Sequence, residues 1–141
     1  MMSTTTKPAG TPVKILIAED NFSSLKLLTR LLERWGQQVT LSVNGREALN
    51  LFEKDTFDLV LLDIQMPEMD GFEVTAAIRE METKTGKHTP IIALTAHALA
   101  GQREQCLTRG MDGFVTKPIE PRKLLETLIS LSVAHRGTQP G

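Results

Sequence analysis

Five polar side chains stand where short apolar runs of this sequence end, and their types could together bind a phosphoryl group. Three are carboxylates, since Glu19 and Asp20 close one run and Asp63 closes another. Thr95 ends a third run and Lys117 follows a fourth, which adds a hydroxyl and an ammonium group. Taken singly, each has an ordinary structural explanation, such as a helix cap for Asp20 or a solvated surface charge for Lys117. Only convergence on one pocket favours a chemical role.

The chemistry of such a pocket follows from its charges. Three neighbouring carboxylates repel each other unless their pKa values rise or a cation neutralises them. Carboxylate oxygens are ligands that Mg²⁺ prefers, and Mg²⁺ takes few protein ligands because it keeps several waters. An aspartate can itself be a nucleophile and form an acyl phosphate. A divalent cation, an ammonium and a hydroxyl beside it would supply the positioning and charge neutralisation that phosphoryl transfer needs.

The apolar runs alternate with helical patterns, which indicates how the fold could bring the five residues together. The runs predict strands at 13–20, 38–43, 57–63, 90–95 and 113–116. The amphipathic segments that follow them predict helices at 23–36, 44–54, 71–81, 98–110 and 121–131. Short apolar strands that alternate with helices form a doubly wound parallel sheet covered on both sides. Ligands bind such folds at the carboxyl ends of the strands, where the five residues stand.

The composition fits one globular domain and excludes several other classes of protein. The chain has 141 residues, 40% hydrophobic and 23% charged, which suffices for a sizeable core. A formal net charge of −1 provides no basic field for nucleic acid or an anionic membrane. No apolar run approaches the ~20 residues of a membrane span, and a single cysteine excludes an internal disulfide. We therefore expect a cytoplasmic domain.

The two ends of the chain lack the periodicity of the region between them. Residues 1–12 are rich in Thr, Pro and Gly, and residues 133–141 show no helical or strand pattern. We expect a flexible leader at 1–12, one domain at 13–132 and a flexible tail at 133–141. These ends favour a domain excised from a longer protein.

Four motifs give the sequence a resemblance to a known family. "AEDN" at 18–21, "LLDIQMPEMDG" at 61–71, "ALTAHA" at 93–98 and "FVTKP" at 114–118 resemble, in this order, the receiver domain of two-component response regulators. The resemblance covers nearly all of 13–131 and is strongest to receivers of hybrid histidine kinases. It implies a flavodoxin-like α/β fold, with five parallel strands in the order 2-1-3-4-5 and five helices.

The resemblance also implies a role for each acidic residue. Asp63 resembles the aspartate that accepts the phosphoryl group in this family. Glu19 and Asp20 resemble the acidic pair that holds Mg²⁺, with Asp20 and Asp63 as direct ligands and Glu19 acting through water. The backbone carbonyl of Gln65 matches the remaining protein ligand.

The other motif residues resemble the parts that respond to phosphorylation. Thr95 matches the hydroxyl that meets the phosphoryl group, and Lys117 matches the lysine that pairs first with the carboxylate and then with the phosphate. Phe114 stands at the position of the rotating switch aromatic, although phenylalanine has no hydroxyl to donate. The Lys117–Pro118 bond matches one that is typically cis. His97, near the pocket mouth, occupies with Gln65 a position where the family tunes dephosphorylation.

The implied function is a phosphorelay step. A partner histidine kinase would present a phosphohistidine, the domain would catalyse its own phosphorylation and dephosphorylation, and the face of helix 4, strand 5 and helix 5 would change. A hybrid receiver would pass the phosphoryl group to a histidine phosphotransfer domain, with helix 1 as docking surface and Phe22 and Leu25 as exposed candidates. We expect no nucleic acid or membrane contact by this domain, although a parent kinase could be membrane-anchored.

Three alternatives remain open at this point. The first is a stand-alone single-domain response regulator. The second is a Mg²⁺-dependent aspartyl-phosphate phosphatase, which is disfavoured because Gln65 stands where its general acid would be and cannot deliver a proton. The third is a flavin-binding domain, which is disfavoured because the acidic stretch "EDNFSS" at 19–24 would repel a phosphate.

Overall fold

The fold is an alternation of strands and helices along the whole described chain. The structure, a computed structural model, describes residues 13–96 and 100–137, with side chains for 13–96 and 101–131. The elements are β1 (Lys14–Ala18), α1 (Phe22–Arg34), β2 (Gln38–Ser42), α2 (Gly45–Lys54), β3 (Leu59–Asp63), α3 (Gly71–Glu82), β4 (Ile91–Thr95), α4 (Ala100–Thr108), β5 (Gly113–Thr116) and α5 (Pro121–Gly137). The predicted leader at 1–12 and the end of the predicted tail, 138–141, lie outside the described residues.

The five strands form one parallel sheet in the order β2-β1-β3-β4-β5, which confirms the predicted topology. The register places Ala18 opposite Leu62, Asp63 opposite Leu94, and Thr95 opposite Thr116. The carboxyl ends of β1, β3, β4 and β5 therefore meet at one edge of the sheet, as the polar residues require.

Alternation along β3 shows how the sheet builds two cores. Val60 and Leu62 face a cluster that includes residues of α2 and α3, while Leu59 and Leu61 face a cluster with α1 and α5. All five residues of β3 are buried, because helices cover both faces. Burial of one such leucine stabilises the fold by about 1.5–3 kcal/mol. This packing fixes where β3 ends, and so where Asp63 lies.

The helices begin at side chains that satisfy their free N–H groups. Asp70 caps α3 in a reciprocal capping box with Glu73, and both hydrogen bonds measure 2.9 Å. Asn44 caps α2 by accepting from Glu47 N at 2.8 Å. Asn21, and not Asp20, caps α1 by accepting from Ser24 N at 2.9 Å. The Asp20 carboxylate is therefore not needed to begin the helix.

Two elements differ from the sequence pattern. Strand β2 lies at the sheet edge, so its Leu41 is 45% exposed and the following Val43 is 49% exposed, whereas the alternation of apolar and polar residues at 38–43 predicts that both are buried. Helix α5 runs on to Gly137, six residues past its predicted end, so 133–137 are helical where the sequence predicts a flexible tail. Among the helices of the described residues, none has the length and apolarity to cross a bilayer.

Candidate functional site

Three carboxylates converge where β1 and β3 end. One oxygen each of Glu19, Asp20 and Asp63 lies within 4.8 Å of the others. The convergence follows from the sheet, because Ala18 pairs with Leu62 and the next residue of each strand is an acid. Glu19 and Asp63 are buried and Asp20 is exposed, so the cluster opens to solvent on the Asp20 side.

Lys117 reaches this acidic cluster from β5, two strands away. Its Nζ donates a 2.9 Å hydrogen bond to Asp63 Oδ2 and lies 2.6 Å from Glu19 Oε1. The contact with Oε1 is a close ion pair, so the ammonium is shared between two buried acids. The Lys117 N–H donates to Thr95 O at 2.7 Å, and the following bond to Pro118 is cis. These contacts hold the ammonium over the acids.

The electrostatics of the cluster depend on burial and on mutual repulsion. Burial raises the pKa of Glu19 to about 7; the contact with Lys117 opposes this rise, and the nearby Asp63 adds to it. Burial alone would lower the pKa of Lys117, but its contacts with Glu19 and Asp63 outweigh burial and raise it. Lys117 therefore stays an ammonium, and one cation faces three acids.

The donor set fits a hard divalent cation. Asp63 Oδ1 accepts from Gln65 N and Glu19 Oε2 accepts from Asn21 N, each at 2.9 Å, which orients both carboxylates. The buried Glu19 Oε1 meets the Lys117 ammonium and, among the described residues, no other donor, so a cation or its water would complete its surroundings. Bound there, Mg²⁺ would supply the positive charge that Lys117 alone cannot. The ligand role of the Gln65 carbonyl stays a prediction.

Thr95 and Phe114, the two residues predicted to respond to phosphorylation, lie in β4 and β5. Thr95 is buried at the end of β4, one residue after the register partner of Asp63, and its Oγ1 donates to Gln102 Oε1 at 3.2 Å. Phe114 is half-buried against the core cluster of α2 and α3. The guanidinium carbon of Arg103 lies 5.9 Å from the centre of its ring. Both switch residues thus contact α4.

Gly71 is a residue of this site whose role the sequence pattern does not reveal. A Cβ at this position would lie 2.5 Å from Asp63 O and 2.8 Å from Ile64 Cα. The absence of a side chain lets α3 begin against the end of β3, and the Gly71 N–H donates to Ile64 O at 2.9 Å. The "DG" pair suggests a turn, but the close approach depends on tertiary structure.

The two docking candidates on α1 differ in exposure. Phe22 is 75% exposed at the start of the helix, two residues after Asp20, whereas Leu25 is buried in the core. Phe22 is therefore available to a partner and Leu25 is not. His97 lies outside the described residues.

Comparison with known proteins identifies the family. The family model of the response regulator receiver domain matches residues 15–129, and the chain belongs to this family. It is a receiver domain of two-component phosphorelays, which confirms the predicted class and fold. The chain is 44% identical over 130 residues to the sensor histidine kinase GacS of Pseudomonas protegens. That match covers 89% of the chain but 14% of GacS, and the curated relatives are in general far longer than this chain.

Two solved structures add information on such sites. The receiver domain of sensor histidine kinase PA1611 from Pseudomonas aeruginosa is similar, with a TM-score of 0.75, 37% identity, and coverage of 84% of this chain and 95% of that one. It was solved with a magnesium ion coordinated in its active-site cleft. The receiver of Saccharomyces cerevisiae Ssk1, crystallised with the histidine phosphotransfer protein Ypd1, has a TM-score of 0.76 and 27% identity, with coverage of 82% and 86%.

Proposed function

We propose that this receiver domain takes a phosphoryl group from a phosphohistidine onto Asp63. The observation that carries the proposal is the Asp63 carboxylate itself, held at the sheet edge between Lys117 and the acids Glu19 and Asp20. An Asp63 oxygen attacks phosphorus, the phosphorus–nitrogen bond breaks, and the histidine leaves with its electron pair. The product is an acyl phosphate on Asp63, so the domain promotes its own phosphorylation by positioning and charge.

The residues around Asp63 have distinct tasks in this proposal. Lys117 remains an ammonium and stabilises the negative charge on the transferred oxygens. The Gln65 N–H fixes Asp63 Oδ1, which leaves the other carboxylate oxygen facing Lys117. Glu19, Asp20 and Asp63, with the Gln65 carbonyl, would hold Mg²⁺, and the acidic cluster and the magnesium site of PA1611 support this assignment.

Phosphorylation would alter the face formed by α4, β5 and α5. Thr95 turns its hydroxyl toward the new phosphoryl oxygens, and Phe114 packs into the space that Thr95 vacates. This face exposes Leu107, Leu125 and Ile129, so a change in its shape is available to a partner. Since Phe114 lacks a hydroxyl, the change is read through packing.

The partners we propose are a histidine kinase domain as phosphodonor and a histidine phosphotransfer domain as acceptor. The exposed Phe22 lies at the active-site end of α1, and Lys26, Arg30 and Arg34 follow it at intervals of four residues. These cations are exposed and form no ion pair within the described residues. A helix face of this kind suits an acidic partner surface around a phosphohistidine. The Ypd1–Ssk1 complex supports the choice of partner class.

We also propose that the chain is part of a cytoplasmic hybrid kinase region, since its relatives include the sensor histidine kinase GacS and a hybrid signal transduction histidine kinase of Dictyostelium discoideum. A single cysteine, buried and free, suits the reducing cytoplasm. A stand-alone response regulator is the second candidate, because the site of Asp63 would work in the same way there. The aspartyl-phosphate phosphatase is not favoured, because Gln65 offers no proton donor.

Intact-mass spectrometry tests the assignment of Asp63. Wild type incubated with acetyl phosphate and Mg²⁺ should gain one phosphoryl group, and Asp63→Asn should gain none. Asp55→Asn is the matched control, because Asp55 is exposed and pairs with Lys14 before the amino end of β3. Equal labelling of wild type and Asp63→Asn would overturn the proposal.

A further inference from the structure

Gln102 links Thr95 to the first turn of α4. The Thr95 hydroxyl donates to Gln102 Oε1 at 3.2 Å, and Gln102 is the third residue of the helix. Thr95 is buried and Gln102 is half-buried, so water competes poorly for this hydrogen bond. The family motifs do not include Gln102, and no periodicity in the sequence singles it out.

The neighbouring Arg103 contacts the other switch residue. Its guanidinium carbon lies 5.9 Å from the ring centre of Phe114, within the range of a cation–π interaction. Two consecutive residues at the start of α4 therefore contact Thr95 at the end of β4 and Phe114 within β5, the two side chains that would respond to phosphorylation. The start of α4 is tied to the unphosphorylated positions of both side chains.

A threonine hydroxyl has one hydrogen and can donate to one acceptor at a time. In the proposed function, which this inference deepens, the Thr95 hydroxyl turns to a phosphoryl oxygen on Asp63. It must then give up Gln102 Oε1. The hydrogen bond to Gln102 thus stabilises only the unphosphorylated state, and its loss opposes the switch.

We propose that Gln102 is a positioning residue that restrains Thr95 until Asp63 is phosphorylated. Breaking the Thr95–Gln102 hydrogen bond releases the first turn of α4, and Arg103 carries this movement to Phe114. Phosphorylation is thereby coupled to α4 by the exchange of one hydrogen bond. Removal of the Gln102 acceptor should favour the activated state.

Binding of beryllium fluoride with saturating Mg²⁺ tests this restraint, because the complex imitates an aspartyl phosphate and its affinity is an equilibrium quantity. Gln102→Met keeps the length of the side chain but removes the acceptor. It should tighten the affinity about fivefold, the value of one neutral hydrogen bond. Gln105→Met is the matched control, because Gln105 is exposed one turn along α4, and it should bind as wild type does. Equal affinities of the two variants would overturn the proposal.

Unfolding in urea with EDTA tests the hydrogen bond without metal or phosphoryl analogue. Thr95→Val and Gln102→Met should destabilise the protein less in combination than the sum of their separate effects, since each removes the same bond. The changes in the free energy of unfolding caused by Gln105→Met and Thr95→Val should simply add. If the changes in the free energy of unfolding for Gln102→Met and Thr95→Val also added, the hydrogen bond would not hold Thr95, and the inference would be overturned. Failure of wild type to bind beryllium fluoride would instead overturn the proposed function, and the urea cycle would still decide the role of Gln102.

Discussion

Lys117 donates a hydrogen bond to Asp63 across 2.9 Å, although 54 residues separate them in the chain. The same ammonium lies 2.6 Å from Glu19 Oε1, so it is shared between two buried acids of adjacent strands. Because both acids are buried, this shared cation is the main counter-charge that the described chain itself supplies. One ammonium among three acids leaves room for a further cation, and in the proposed function both positive charges face the phosphoryl group.

Replacement of Lys117 should impair phosphorylation more than it impairs folding. Lys117→Met removes the ammonium that faces the transferred oxygens, and the initial rate of labelling by acetyl phosphate should fall about a hundredfold. Lys117→Arg keeps the charge on a planar group of different reach, so an intermediate rate is expected. Mass spectrometry measures the rates, and circular dichroism verifies that each variant is folded. A wild-type rate for Lys117→Met would contradict the assigned role.

The raised pKa of Glu19 predicts a stability that depends on pH in the metal-free protein. Its pKa is about 7 in the fold against 4.5 as the ordinary value, so the folded state binds a proton that the unfolded state releases between these pH values. The contribution of Glu19 to the free energy of unfolding is fully present below about pH 4.5. It is lost as the pH rises through 7, and the loss is at most roughly 3 kcal/mol. Glu19→Gln should flatten this dependence.

Thermal unfolding in EDTA from pH 5 to pH 8 measures this effect, with Glu104→Gln as an exposed control on α4 that should keep the wild-type slope. Millimolar Mg²⁺ should raise the melting temperature most at pH 8, where Glu19 is ionised, since a ligand bound only by the fold stabilises it by mass action. A metal effect equal at pH 5 and pH 8 would argue against Glu19 as part of the site.

Gly71 should not tolerate even a methyl group. The Cβ of Gly71→Ala would lie 2.5 Å from Asp63 O, so α3 must shift away from β3 at a cost of about 1–3 kcal/mol. Gly101→Ala is the matched control in α4, because a Cβ there meets no heavy atom within 4 Å and should stabilise the helix by up to about 1 kcal/mol. Urea unfolding separates the two outcomes, and the labelling rate of Gly71→Ala should also fall because Asp63 moves.

These residues show which parts of the structure the sequence could predict. The strands and the convergence of the acids follow from local patterns and from the geometry of parallel sheets, since the carboxyl ends of parallel strands in register lie together. The strand order 2-1-3-4-5 is implied by the resemblance to receiver domains. The position of a strand within the sheet is not encoded in its own residues. Alternation predicts that Leu41 is buried, but it lies on the edge strand and is exposed. The cap of α1 by Asn21, the approach of Gly71 and the hydrogen bond of Gln102 depend on distances between distant segments. No spacing in the sequence encodes these distances.

A polar cluster at the amino ends of β4 and β5, away from the acidic cluster, should support folding without affecting phosphorylation. Asp112 Oδ2 accepts from Arg79 Nη2 and Ile91 N, each at 2.8 Å, and Oδ1 lies 2.6 Å from His88 Nε2. Asp112→Ala leaves these donors unpaired and should cost about 2–4 kcal/mol in urea unfolding. The labelling rate of the folded variant should equal that of wild type, and a loss of labelling would link the two edges of the sheet.

Phe22 should matter for transfer between proteins and not for chemistry at Asp63. It is 75% exposed at the start of α1, two residues after Asp20, and Phe22→Ala removes an aromatic contact that a docked phosphotransfer domain would cover. The kcat/KM for phosphoryl transfer from a phosphorylated histidine phosphotransfer protein should fall about tenfold, while labelling by acetyl phosphate stays unchanged. Leu107→Ala is the matched control, because Leu107 is 46% exposed on α4 and lies outside the proposed docking face. Equal losses for both variants, or a loss with acetyl phosphate, would show that Phe22 does not act through docking on α1.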